Sequence, residues 1–343
     1  MSTTRVPDQP TTRSLAWLFR RVGPFLAIGA ALVALKWPAM YDLEAYLAGA
    51  RAVAAGQSPY AATLAMGVNQ WGSLQVYVSP PIIAYVLAPF SSLPTAVVFV
   101  GWTAAGLLSV LAALRLVDRE ALAARAPLVV FSLVYVSGSV VLGQVNLFTL
   151  AGLLLALGCR SDRLAGLGLA LAIVTRAVPG VFAIVLILER RWRALAWTAG
   201  GVGAAIVVNP AEWIEFVAVA RQASGLPTLT AAIVQTSLAP FPPLWIATTI
   251  AVLLSVGIAA VVDRDRVLRV GTVVGFALIL LPTNAWHHWL AFALAPLFLY
   301  ADGRVWSRRL LLAFVGVSFI TIGWLSSAVG GRRDRDDPRD LRP

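Results

Sequence analysis

Two acidic residues follow the first apolar segment of the chain. Asp42 and Glu44 lie two positions apart in the run from Tyr41 to Tyr46. A carboxylate at a membrane surface, with apolar surroundings on its lipid side, tends to have a raised pKa and is suited to act as a general base. Aspartate is also a common N-cap of a helix. Spacing alone therefore leaves open whether Asp42 is a catalytic base or a helix cap.

The two histidines of the chain, His287 and His288, are adjacent and stand between Trp286 and Trp289. Histidine can hold a phosphate oxygen, relay a proton or bind a metal, and tryptophan can stack on a sugar ring. Adjacent helical positions point to different sides and no carboxylate stands at a convenient spacing, so the pair does not indicate a zinc site. A membrane-interface belt of aromatic and histidine residues is the alternative.

Three further polar residues interrupt apolar runs. Arg176 can clamp a lipid phosphate through bidentate hydrogen bonds, or it can be a structural arginine whose charged end reaches the membrane surface. Gln144 and Asn146 follow Gly143 at a break between two apolar segments. Amides commonly bind sugar hydroxyls, although glycine and asparagine also simply form turns.

The composition indicates an integral membrane protein. Of 343 residues, 59% are hydrophobic and 13% are charged, whereas about 25% are charged in an average soluble domain. Apolar windows close to the length of a membrane span recur between residues 22 and 328, separated by short polar breaks. The net charge of +11 comes almost entirely from arginines in those breaks, as the positive-inside rule predicts for cytoplasmic loops. This distribution excludes nucleic acid as the partner of the basic residues and indicates membrane lipids instead.

The elements that must position these residues are predicted to be helices. We expect an all-α polytopic membrane protein with about 11 spans, within a range of about 10–12, plus a re-entrant or short helix at Ser79–Leu93, where prolines interrupt the apolar stretch. An amphipathic helix is expected on the outer surface between Ala39 and Tyr77, because Leu43, Leu47, Ala50 and Ala54 recur at helical spacing. The domain boundaries are a cytoplasmic segment at 1–21, a transmembrane domain at 22–329 and a charged, disordered tail at 330–343.

The predicted spans alternate in direction, and a longer outer loop is predicted at Asn209–Pro243. The spans are Val22–Trp37, Thr95–Leu116, Pro127–Leu142, Leu147–Gly158, Leu164–Thr175, Val178–Leu188, Leu195–Val208, Leu244–Val262, Val270–Leu281, His288–Tyr300 and Leu310–Val329. Four arginines before the first span place the N-terminus in the cytoplasm. This topology predicts that the polar residues described above share the outer face of the plasma membrane.

Missing motifs narrow the function. The sequence has no phosphate-binding loop of nucleotide-driven transporters, no dinucleotide fingerprint and no His-Glu-x-x-His pair of zinc proteases. One cysteine excludes an intramolecular disulfide. No cofactor is predicted, and nothing indicates a divalent metal.

Four places, in this order, make the chain similar to glycosyltransferase family 87. The family consists of polytopic enzymes of the GT-C class that use polyprenyl-phosphate sugars as donors. The places are Tyr41-Asp42-Leu43 leading to Tyr46 and Gly56-Gln57-Ser58-Pro59-Tyr60; Tyr77-Val78-Ser79-Pro80-Pro81; Gly143-Gln144-Val145-Asn146; and Trp286-His287-His288 after Pro282. The likeness runs from about residue 36 to residue 310. Many relatives carry lysine where this chain has Arg176.

The resemblance implies an inverting glycosyltransferase whose active site faces outside. Asp42 would be the general base and His288 the second catalytic residue. Mannose is the implied sugar, with arabinofuranose as the alternative, and the implied acceptor is a glycolipid, a lipoglycan or another polysaccharide. The implied substrate-binding residues are Glu44, Tyr77, Gln144, Asn146, Arg176, Trp286 and His287. A transporter or lipid-carrier flippase is the rival interpretation, although the sequence shows no convincing inverted repeat.

Overall fold

The computed structural model describes residues 40–66, 76–117, 139–140 and 142–224, and a few positions between 243 and 274. Every regular element in those segments is a helix. The predicted spans before residue 40 and after residue 274 lie outside the described residues. The predicted spans Pro127–Leu142, Leu244–Val262 and Val270–Leu281 lie outside them except for a few positions.

The first helix, α1 (Tyr41–Ala54), follows the amphipathic pattern of its sequence. Leu43, Leu47 and Ala50 are all fully buried, because helical positions three or four apart share one face. That face packs on α3 (Pro81–Leu87). The prediction of a helix here is confirmed, whereas its position at the membrane surface stays a prediction. A short helix, α2 (Ala61–Ala65), follows.

Prolines divide the next apolar stretch, as predicted. Pro81 begins α3, where a missing N–H costs nothing, and α3 passes into a 3₁₀ turn at Ala88–Phe90 that contains Pro89. Pro94 then caps α4 (Thr95–Leu116), whose bounds coincide with the predicted span. At about 1.5 Å per residue, 22 residues reach about 33 Å, the thickness of the hydrocarbon core.

The helix α4 also has the surface of a lipid-facing span. Val100 and Leu108 are more than 60% exposed, and an 18-residue window of the helix has a mean hydropathy of 2.2. Large apolar side chains on an unpartnered helix face are typical of contact with lipid. By length and composition, α4 is one candidate membrane span among the described residues, and a bent helix pair is a second.

The bent pair consists of α8 (Trp192–Val208) and α9 (Pro210–Ser224), which meet at an angle of 100°. The Nε1–H group of Trp213 in α9 donates to the carbonyl of Ala205, 3.1 Å away in the last turn of α8. Because α9 occupies residues 210–224, the prediction of a loop from Asn209 to Pro243 is wrong in its first half. Proline at the first helical position starts α9 directly after the break.

Two antiparallel helices, α5 (Asn146–Gly158) and α6 (Asp162–Thr175), form the densest packing of the described chain. A Cβ atom on Gly152 would lie 2.5 Å from the carbonyl oxygen of Gly168. Small residues at such a crossing let two helix backbones approach closely. Helix α6 also packs on α8, and α4 packs on α5. The predicted spans at α5, α6 and α8 are confirmed as helices that begin one to three residues earlier.

The predicted segment Val178–Leu188 is confirmed as a short apolar helical segment with the predicted bounds, and its two halves differ in geometry. It consists of a 3₁₀ turn, Val178–Phe182, followed by α7 (Ala183–Leu188). Pro179 lies in the 3₁₀ turn. A proline ring clashes with the preceding turn of an α-helix, which explains why the segment begins with 3₁₀ geometry.

The two ends of this helix group differ in character. Arg191 donates to Asp162 over 2.8 Å, so the arginine-rich turns before α6 and α8 lie together at one end. The hydroxyls of Thr149 and Thr175 lie 2.9 Å apart and mark the opposite end, where α5 begins and α6 ends. The structure thus separates the arginine-rich turns from Asn146 at the start of α5 and Arg176 at the end of α6, as the predicted alternating topology requires.

Candidate functional site

The start of α1 and the turn before α5 support each other. The N–H groups of Asp42 and Leu43 donate to the carbonyl of Leu142, over 3.2 and 3.3 Å. The first N–H groups of a helix have no partner within it, and Leu142 supplies one. The next residue, Gly143, has a φ of +67°, and a Cβ atom there would lie 2.6 Å from the Cβ of Leu43. Glycine is therefore required by both backbone conformation and space.

Asp42 is not the N-cap of α1. Met40 holds the cap position, and no side chain forms a cap hydrogen bond there. Asp42 lies in the first turn, where its carboxylate Oδ2 accepts a hydrogen bond from the side-chain amide of Gln144. The cap interpretation of the sequence is wrong, and Asp42 instead belongs to a contact between helices.

A chain of buried amides extends from this carboxylate. Gln144 and Asn146 are 2% and 1% exposed. The Nδ2 group of Asn146 donates to Oε1 of Gln144, whose own Nε2 group donates to Asp42. The same Nδ2 group lies 3.4 Å from the hydroxyl of Ser139. Because Gln144 uses its donor on Asp42 and its acceptor on Asn146, its orientation is fixed by its neighbours.

Arg176 lies at the C-terminal end of α6, close enough for its charge to act on Asp42. Burial raises the pKa of Asp42 above its ordinary value of 3.8, while the Arg176 charge and the Gln144 hydrogen bond offset part of that rise. Four predicted site residues thus come together, namely Asp42, Gln144, Asn146 and Arg176. With Tyr46, described next, they form what we call the Asp42 cluster.

Tyr46 is the member of the Asp42 cluster that was not assigned a role from the sequence. It follows Asp42 by one helical turn, so both side chains lie on the same face of α1. Its side chain is 3% exposed, and burial together with the Asp42 charge raises the pKa of Tyr46 to about 12. The hydroxyl is therefore neutral at physiological pH. The spacing of four from Asp42 was the signal that could have found it.

Glu44 lies on a different side of α1 from Asp42, and Tyr77 packs beside Tyr46 with its hydroxyl held by the backbone. Side chains two positions apart on a helix point about 200° from each other, so Glu44 projects to a different side of α1 from Asp42. The hydroxyl of Tyr77 donates to the carbonyl of Pro80 and accepts from the N–H of Ala84. These bonds give Tyr77 a structural role at the start of α3, so its predicted contact with substrate has no support from the geometry.

Trp286, His287 and His288 lie outside the described residues, so their predicted roles stay predictions. Within the described segments, no group of three or more His, Cys, Asp or Glu side chains is placed to hold a metal ion.

A second polar group joins α9 to the first part of the structure. The hydroxyl of Tyr85 donates to Glu212 over 2.6 Å, and the hydroxyl of Ser58 donates to Glu215. Sequence reasoning missed this group because the α9 segment was interpreted as a loop. The i, i+3 spacing of the two glutamates was the available signal, since it puts both on one helix face. The contacts dock α9 onto α3 and onto the turn after α1.

Comparison with known proteins gives one result. The profile of glycosyltransferase family 87 matches residues 77–283, more than half of the chain. The match includes Gln144, Asn146 and Arg176, begins after Asp42 and ends before Trp286. No curated protein and no solved structure was found to match the chain.

Proposed function

Because the chain belongs to glycosyltransferase family 87, a family of polytopic membrane glycosyltransferases, we propose that it transfers mannose from a polyprenyl-phosphate donor. The proposed acceptor is a glycolipid, a lipoglycan or another polysaccharide at the outer face of the plasma membrane. The single observation that carries the mechanism is the Asp42 carboxylate, held by Gln144 beside the charge of Arg176. Family membership favours glycosyl transfer over the alternative of a transporter or flippase.

Asp42 is the proposed general base. Its carboxylate removes the proton of an acceptor hydroxyl while that oxygen attacks the anomeric carbon of the donor sugar. The bond from the anomeric carbon to the phosphate oxygen breaks, its electron pair leaves with the polyprenyl phosphate, and the configuration inverts. A base works best when its pKa is near the operating pH, and burial moves the pKa of Asp42 upward in that direction.

Arg176 is the proposed partner of the leaving phosphate. As the polyprenyl phosphate departs, negative charge develops on its oxygens, and this leaving group does not need a proton. A guanidinium can stabilise the charge with two parallel hydrogen bonds. A cation placed before the reaction is most effective where water is excluded. His288 is proposed for the same purpose, and Trp286 and His287 for contact with the sugar, on the strength of the sequence resemblance.

The amides are better suited to positioning than to direct sugar binding. Gln144 has its amide nitrogen on Asp42 and its amide oxygen on Asn146, so we propose that this pair fixes the orientation of the base. One carboxylate oxygen of Asp42 is then available to the acceptor hydroxyl. Glu44 is proposed as a more distant substrate contact.

The test is transfer of radiolabelled mannose from polyprenyl-phosphate mannose in membranes that contain wild-type protein or Asp42→Asn, with insertion of both checked. Asp162→Asn is the matched control. It makes the same chemical change at the start of α6, at the end of the helix away from Arg176 and the Asp42 cluster. We expect transfer to be lost with Asp42→Asn and retained with Asp162→Asn. Base catalysis typically contributes about 10²- to 10⁴-fold in rate, so a loss below that range would contradict the role of Asp42.

The donor is tested in parallel with polyprenyl-phosphate arabinofuranose. Transfer of arabinose without mannose would replace the proposed sugar and keep the proposed base. A wild-type protein that moved neither sugar to any extractable acceptor would refute the proposed donors, and movement of the labelled lipid across the membrane would then favour the flippase.

A further inference from the structure

Three buried tyrosines pack in a row in the order Tyr46, Tyr77 and Tyr60, and the hydrogen bonding of their hydroxyls differs. The hydroxyl of Tyr60 donates to the carbonyl of Ser79 over 2.6 Å, and that of Tyr77 donates to the carbonyl of Pro80. Both hydroxyls are therefore satisfied by the backbone. The hydroxyl of Tyr46 has no hydrogen bond of normal geometry to any described residue, although Ser79 and Val145 lie beside it.

The ring of Tyr46 is fixed in place. Its centroid lies 6.4 Å from those of Tyr77 and Trp102, in an edge-on arrangement with each. This packing and the burial of the side chain hold the ring in place, so the hydroxyl oxygen stays beside Ser79 and Val145. A buried hydroxyl without a partner is unfavourable and rare in folded proteins, and it is expected where a ligand completes the hydrogen bond.

The position of this hydroxyl indicates what the ligand is. Tyr46 shares one face of α1 with the Asp42 carboxylate and points toward Val145, the residue before α5 begins. A neutral phenol both donates and accepts, which matches a sugar hydroxyl. The nearby charge of Asp42 disfavours a phosphate here and places the phosphate closer to Arg176.

We propose that the Tyr46 hydroxyl binds a hydroxyl of the acceptor sugar next to the one that Asp42 deprotonates. This inference rests on the proposed function, because it takes Asp42 as the base. Tyr46 then selects the acceptor by holding a neighbouring hydroxyl, so that the attacking oxygen lies against the carboxylate.

The experiment compares Tyr46→Phe with a matched control, Tyr60→Phe, which also removes one buried hydroxyl and keeps the ring. Purified protein is assayed with polyprenyl-phosphate mannose as donor and n-octyl α-mannopyranoside as the acceptor probe. The loss of one neutral hydrogen bond to substrate should raise the KM for the acceptor about 3- to 10-fold in Tyr46→Phe. The KM for the donor should not change.

Thermal unfolding of the same variants provides a second readout. The control Tyr60→Phe loses a satisfied hydrogen bond and should unfold at a lower temperature, with an unchanged KM for the acceptor. Tyr46→Phe loses only an unpaired hydroxyl, so its melting temperature should be equal to or above that of wild type.

Three results would overturn the inference. They are an unchanged KM for the acceptor in Tyr46→Phe, a rise in the KM for the donor instead, and a fall in melting temperature as large as that of Tyr60→Phe. Wild-type protein without transferase activity would refute the proposed function, and the melting temperatures would still decide whether the Tyr46 hydroxyl is satisfied within the protein.

Discussion

Replacing Gln144 with leucine tests how the proposed base is held in its ionised form. The substitution keeps a side chain of similar size and removes the amide that donates to Asp42. A hydrogen bond to the charged carboxylate favours ionisation, so its loss raises the pKa of Asp42 further above the ordinary value. The proposed base works only when ionised, and the acid side of the pH profile of kcat/KM should therefore move to higher pH.

The size of the effect follows from burial. Gln144 is 2% exposed, so water does not readily replace its amide beside Asp42. A hydrogen bond to a charged group contributes about 1.5–3 kcal/mol, and about 1.4 kcal/mol corresponds to tenfold in rate. We expect kcat/KM at low pH to fall about 10- to 100-fold and to recover as the pH rises above the displaced limb.

The assay is mannose transfer as a function of pH, with Gln57→Leu as the matched control because Gln57 is an exposed glutamine after α1. The control should keep the wild-type pH profile. A Gln144→Leu profile that is lower by the same factor at every pH would refute the reasoning. It would mean that Gln144 acts on the orientation of Asp42, on substrate binding or on folding, and not on the ionisation of Asp42.

Two further predictions concern the surroundings of Asp42. Arg176→Lys keeps the charge but loses the two parallel hydrogen bonds of the guanidinium, so it should keep more transfer activity than Arg176→Gln. Arg176→Gln should lose about 10- to 100-fold in kcat/KM, and the acid limb of its pH profile should move to higher pH because the Arg176 charge lowers the pKa of Asp42. Equal losses in both variants would mean that the geometry of the guanidinium matters more than its charge. Gly143→Ala should destabilise the protein by at least about 1 kcal/mol in thermal or denaturant unfolding, because the new Cβ meets Leu43 at a positive φ, whereas Gly101→Ala, with open space around it, should not. Equal stability of the two alanine variants would contradict the fit described for this turn.

Hydropathy predicted the helices well where one apolar run lies between clear boundaries. The bounds of α4 were correct because Pro94 precedes it and Arg115 lies in its last turn. Helices α5 and α6 begin earlier than predicted, because polar residues such as Asn146 and Asp162 occupy their first turns and hydropathy counts them as loop. A helix N-terminus accepts such residues readily, since its free N–H groups need polar partners.

Two departures from the predicted helices also have local causes. Pro179 gives the first part of the predicted span Val178–Leu188 the geometry of a 3₁₀ turn. The glutamates of α9 lower its hydropathy and made it resemble a loop, although Glu212 and Glu215 bind Tyr85 and Ser58 from a single helix face. A hydropathy window averages over all sides of a helix and does not detect that arrangement.

The candidate site was predictable in its residue types and only partly in their roles. Asp42, Gln144 and Arg176 were all singled out, and the structure brings them together. The contact between Asp42 and Gln144 joins positions 102 residues apart, a separation at which sequence periodicity carries no signal. Gln144 was therefore predicted to bind sugar, whereas its amide is occupied by the base and by Asn146.

The way α1 begins explains why the site depends on both halves of the described chain. The carbonyl of Leu142 binds the first N–H groups of α1, and Gly143 allows the close approach of Leu43. The next residue, Gln144, then meets the carboxylate of Asp42 from the same turn. One backbone contact thus both starts the helix that carries the proposed base and delivers the amide that orients it. A change that loosens this turn should lower stability and transfer activity together, whereas a change to the amide should in addition move the acid limb of the pH profile to higher pH.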